Sequence, residues 1–101
     1  MASSTPDWLL GQWISDPADQ LSMREYGSAS IDFRPDGELV YDVFQAGRSQ
    51  KTVLHYRVEH NTIITTQPSA PAEEQTAFDQ LPDGKLRLTF GGRTSTYVRA
   101  S

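Results

Sequence analysis

The stretch Leu9-Leu10-Gly11-Gln12-Trp13-Ile14-Ser15-Asp16 (LLGQWISD) marks a change of pattern in this chain. Upstream of it, Ser4 or Thr5 offers an N-cap, Pro6 a first helical position and Asp7 a first-turn acid. Residues 4–10 therefore read as a short helical turn. Gly11 should stop that turn, and a strand should start around Gln12 and Trp13. A glycine at such a junction permits a sharp change of direction and a close approach to the backbone. Trp13 is large enough to fill one end of whatever the strands enclose.

Working outward, the apolar residues beyond Gly27 recur with a period of two, the mark of strands with one buried face. Ala29, Ile31 and Phe33 alternate with Ser30, Asp32 and Arg34. The sets Leu39/Tyr41/Val43, Leu54/Tyr56/Val58 and Leu86/Leu88/Phe90 repeat the pattern. Leu39, Tyr41, Leu54, Tyr56, Leu86, Leu88 and Tyr97 are thus expected to face inward, and Glu38, Asp42, Arg57 and Arg87 outward. A slip of one residue would invert a strand. The joins carry turn chemistry: Pro35-Asp36-Gly37, residues 45–50 (QAGRSQ), His60-Asn61, Pro82-Asp83-Gly84 and Gly91-Gly92. Residues 15–27 hold the longest stretch without strand character, with Asp16-Pro17 as a cap-and-start signal and Gly27 as a stop. Residues 68–73 (PSAPAE) read as a proline-rich loop ahead of a weaker strand over 74–81. About eight short strands joined by tight turns predict one all-β domain over residues 1–101. Its expected form is an antiparallel up-and-down β-barrel, whose closure removes exposed sheet edges.

Gly11-x-Trp13 at the head of an eight-strand pattern resembles the opening of lipocalin-like (calycin) barrels, where a short helix precedes the first strand. In that family an arginine late in the barrel stacks on the tryptophan. Arg99, on the last strand and in phase with Tyr97 and Ser95, is similar in position. The resemblance implies that Gly11, Trp13 and Arg99 close one end of the barrel through a cation–π contact worth roughly 0.5–2 kcal/mol. The chain departs from the family in length, at 101 residues, and in lacking a large C-terminal helix.

Tyr41, Tyr56 and Tyr97 are the candidate ligand-binding residues, since they would place hydroxyls in an apolar interior. The plainer reading is a packed core, and it is preferred here because small barrels are usually filled by their own side chains. At most a small, partly filled cavity is expected. His55 falls on an outward face and His60 in a turn, neither at triad or metal spacing. Asp16, Asp19 and Glu25 make the first loop acidic without the pattern of a calcium loop. Capping accounts for Asp16 and the helix dipole for Asp19. Glu73 and Glu74 point to opposite faces and read as a solvated edge. The chain has no cysteine, phosphate loop, nucleophile elbow or zinc helix. No cofactor, metal or catalysis is expected.

The formal net charge of −4, without any basic run, argues against nucleic-acid binding. No apolar stretch has the length of a membrane span. Residues 1–8 (MASSTPDW) lack the pattern of a leader, and with the missing cysteines they point to the cytoplasm; a chain trimmed of its leader would read the same. The expected function is a small lipocalin-like binding protein for an apolar molecule or a protein partner, with residues 15–27 and 68–73 supplying specificity. A second reading is a protein-interaction module resembling the small β-barrel metalloprotease inhibitors of bacteria. Those share the GQW opening and insert a flexible N-terminal segment into the enzyme, here residues 1–5, but they carry a disulfide that this chain cannot form.

Overall fold

The computed structural model describes residues 5–19, 24, 28–45, 47–67 and 70–100. Eight strands form one antiparallel sheet closed into a barrel. They are β1 (Gly11–Ser15), β2 (Ser28–Phe33), β3 (Glu38–Gln45), β4 (Arg48–Glu59), β5 (Thr62–Gln67), β6 (Ala70–Gln80), β7 (Leu86–Phe90) and β8 (Arg93–Arg99). Each pairs with the next, and β8 returns to β1 with Arg99, Val98 and Tyr97 opposite Trp13, Ile14 and Ser15. The architecture is the expected all-β barrel and is compatible with a lipocalin-like fold. Among the described residues, no helix is long and apolar enough to cross a membrane.

Local chemistry explains the joins. Arg34-Pro35-Asp36-Gly37-Glu38 and Leu81-Pro82-Asp83-Gly84-Lys85 are built alike. In each, the glycine N–H donates to the carbonyl of the residue before proline, at 3.2 and 2.8 Å. The aspartate Oδ1 accepts from the N–H of the residue after glycine, at 3.0 and 3.2 Å. Proline presets one backbone angle and glycine takes a positive φ, 91° and 87° respectively.

Two expectations are corrected. The N-terminal helix is a single tight turn: Leu9 N–H donates to Pro6 O at 3.0 Å and Leu10 N–H to Asp7 O at 3.2 Å. Ser4 and Gly27, the other proposed cap and stop, lie outside the described residues. The proline-rich loop over 68–73 contracts, because β6 already begins at Ala70. Gln67 stands opposite Ala70 and Thr66 opposite Glu73, so Pro71 and Ala72 have no partner on β5. A proline that cannot donate to a ladder is accommodated at such an irregularity.

The predicted phase of the strands is observed. Leu39, Tyr56, Leu86 and Tyr97 are buried, Tyr41, Leu54 and Leu88 pack against the core, and Arg57 and Arg87 are exposed. Glu38 and Asp42 are half-buried rather than exposed. Arg57 reaches across β5 to Glu73 at 2.9 Å. Ile64, opposite Arg57 on the outer face, is buried as well.

One end of the barrel is sealed. Trp13, Phe33, Leu9 and Leu86 are the largest fully buried side chains. Trp13 Nε1–H donates to Leu9 O at 2.9 Å, which satisfies the indole inside an apolar surround. Trp8 packs edge-on against Trp13, centroids 6.3 Å apart, and tilts onto Phe78 at 5.8 Å. Arg99 lies over the Trp13 ring at 4.2 Å from its centroid. Its Nη1 donates to Leu10 O at 2.5 Å and its Nη2 to Trp8 O. Although in phase with Tyr97, Arg99 is at the end of its strand and remains exposed, so it caps the sealed end from outside.

The reason for Gly11 follows. Its φ is 107°, and a Cβ there would stand 2.8 Å from Arg99 Nη1. Gly11→Ala is expected to lower stability by about 1–3 kcal/mol. The loss should be smaller in an Arg99→Ala background, where the contact is relieved and only the backbone strain remains. Trp13→Ala should cost about 3–5 kcal/mol. Urea midpoints of the single and double variants check all three, and additive effects of Gly11→Ala and Arg99→Ala would show that the two residues are not in contact.

Candidate functional site

The inward residues are sorted by size along the barrel. Trp8, Trp13, Tyr56 and Phe78 occupy the sealed end. Toward the opposite end, the inward positions include Ser15, Ala29, Thr65, Thr76 and Ser95. The space they leave is a cavity of about 520 Å³, walled by Ile31, Phe33, Leu39, Leu54, Ile63 and Leu88. This overturns the expectation of a nearly filled interior. That expectation counted tyrosines, phenylalanines and leucines without their height along the axis, and the small residues lie together at one end.

The three tyrosines part company. Tyr41 and Tyr97 line the cavity. Tyr41 and Ser95 neighbour the Tyr97 hydroxyl. Burial first, and then the neighbouring Tyr41, push the Tyr97 pKa well above the ordinary phenol value. Tyr56 does not line the cavity. Its ring packs edge-on against Phe33 at 5.4 Å, and its hydroxyl donates to Arg34 O at 2.7 Å. Burial raises the pKa of this hydroxyl. Tyr56 belongs to the sealed end, and its proposed ligand contact is corrected accordingly.

Carboxylates gather at the mouth. Asp16 is buried; its Oδ1 accepts from Ala18 N–H at 2.9 Å and its Oδ2 lies 2.9 Å from Lys85 Nζ. The bond to Lys85, then that from Ala18, holds the Asp16 pKa below the ordinary carboxylate value, and Lys85 is raised in turn. Asp16 therefore caps its turn as expected and also anchors an ion pair. Asp19 acts otherwise than through a helix dipole: its Oδ2 accepts from the N–H of Thr96 at 2.9 Å, tying the first loop to β8. Glu73 points outward to Arg57 and Glu74 borders the cavity, so the two take opposite faces, and both are exposed.

His55 is exposed on β4, and His60 sits in the β4–β5 turn with φ of 58°. Among the described residues, no three His, Cys, Asp or Glu side chains are grouped to hold a metal ion. Glu25, residues 1–4 and residues 68–69 lie outside the described residues, as does most of the loop between Asp19 and Ser28. The N-terminal segment of the inhibitor reading falls largely there, while Thr5 to Leu10 fold against the sealed end. Sequence reasoning passed over Trp8, Phe78 and Lys85. Phe78 was signalled by its alternation with Ala77 and Asp79. Lys85 had no local signal, because its partner is distant in the chain.

Comparison with known proteins gives no match: no family model, curated protein or solved structure is significantly similar to this chain.

The Asp16–Lys85 pair sets a pH dependence. Asp16 binds its proton less tightly when folded, so its contribution is present above the unfolded pKa near 3.8 and is lost as pH falls through the lower folded value. Lys85, whose folded pKa is raised, contributes below 10.5 and loses that contribution at higher pH. The urea midpoint of Asp16→Asn should fall less steeply than that of the wild type from about pH 5 to pH 2. Equal slopes would count against the pair.

Proposed function

We propose that the chain is a non-enzymatic binding protein that holds a small, mostly apolar molecule in the barrel, in the manner of the lipocalin-like (calycin) proteins its Gly11-x-Trp13 opening resembles. The observation that carries this reading is the cavity. Its volume of about 520 Å³ falls within the roughly 300–1,000 Å³ of small-molecule sites. Its walls are largely aliphatic and aromatic, and hydroxyls of Tyr41, Tyr97, Thr65, Thr76 and Ser95 are among the polar groups on them. That mixture suits an apolar body with few hydrogen bonds. The sealed end supports the same reading, since Leu9, Trp13 and Arg99 block that end.

Titration with the neutral fluorophore N-phenyl-1-naphthylamine tests the proposal. One saturable site is expected, with a Kd on the order of micromolar. Thr76→Phe should weaken binding by about tenfold or more, because a ring there takes up space the ligand needs. Phe44→Ser, on the exposed outer face, should leave it unchanged. Urea midpoints confirm that both variants are folded. Absence of saturable binding, or equal losses from the two substitutions, would overturn the reading.

A further inference from the structure

We infer that the cavity selects an uncharged ligand, an apolar body bearing one hydroxyl or carbonyl, and that the Tyr41–Tyr97 hydroxyl pair holds its polar end. This rests on the binding reading above and narrows it to a ligand class.

Tyr41 is on β3 and Tyr97 on β8, strands that are not neighbours in the barrel. Both line the cavity, so they approach its interior from different parts of the wall. Ser95 adds a third hydroxyl beside them. Each hydroxyl has one proton to donate and lone pairs to accept, so a ligand hydroxyl or carbonyl can join the cluster without leaving a buried group unpaired.

A charged head finds no such match. Among the described residues, the ionisable side chains on the lining, besides the tyrosines, are Asp16, Asp19, Glu74 and Arg93. Asp16 is already paired with Lys85. The Asp19 charge acts on Tyr97 in the direction that keeps its hydroxyl protonated, and a ligand carboxylate placed there would meet the same field. Arg93 stands exposed at the β7–β8 turn, at the outer rim. A carboxylate brought to the tyrosine pair would lose hydration and meet the Asp19 charge, and an ammonium would lose hydration for Asp19 alone, whose carboxylate is already engaged by the Thr96 N–H.

Displacement of N-phenyl-1-naphthylamine by 1-decanol, decanoate and decylamine near neutral pH decides the matter, since the three share one chain and differ in the charge of the head. Decanol is expected to displace the probe at a concentration at least about tenfold lower than either ion. Tyr41→Phe and Tyr97→Phe should each weaken decanol by about two- to tenfold while the cavity still takes up the probe. Decanoate or decylamine competing within that tenfold margin would overturn the inference, and loss of decanoate binding in Arg93→Gln would then assign an anion site at the rim. Decanol binding that neither tyrosine substitution weakens would also overturn it. Failure of the wild type to bind the probe at all would instead overturn the binding reading on which the inference stands.

Discussion

The contact of Arg99 with Trp13 joins the two ends of a sheet that would otherwise be held by its weakest ladder. The β1–β8 seam has three paired positions, fewer than any other strand pair in the barrel. Everything that reinforces it lies just beyond those three. Ala100 N–H donates to Gln12 O on one side, and Asp16 N–H donates to Thr96 O on the other. Asp19 adds its carboxylate to the N–H of Thr96. Arg99 then fastens the N-terminal turn through two carbonyls while covering the indole. Gly11 is the concession the backbone makes to that guanidinium.

A sealed end permits an open one. Stability in a small domain comes from buried apolar area, and an empty interior forgoes some of it. Here the burial is concentrated: Leu9, Trp13, Phe33, Phe78 and Leu86 pack at one end with Trp8 against them. The other end is left to short side chains and a hydroxyl cluster. The segregation keeps the residues that hold the fold largely apart from those that meet solvent at the mouth, so the lining can vary in chemistry with little effect on the plug.

Much of this was legible in the sequence, for definite reasons. Period-two alternation tells which face of a strand a residue takes, and so Leu39, Leu86 and Tyr97 were placed inward correctly. Pro-Asp-Gly located two turns because proline and glycine restrict the backbone locally. What alternation does not carry is height along the barrel axis. Tyr41 and Tyr56 share a phase, yet one reaches the cavity and the other the plug. Height depends on the stagger between strands, which arises from all eight registers together. The start of β6 was hidden because Pro71 resembles a loop residue, and only the irregularity opposite Thr66 and Gln67 shows how the strand absorbs it. The Asp16–Lys85 pair was hidden because nothing local links its members.

The closing seam also bears on how the chain reaches this state. Seven of the eight strand pairs join sequence neighbours, and each is a hairpin or a single loop that can form as soon as its two strands exist. The eighth joins opposite ends of the chain and cannot form until β8 has been made. During synthesis, the growing meander must therefore hold its apolar face, including Ile31, Phe33 and Leu39, without a lid until Arg99 has left the ribosome. The interval between the first hairpin and the last strand is when this protein is most open to sticking to its neighbours.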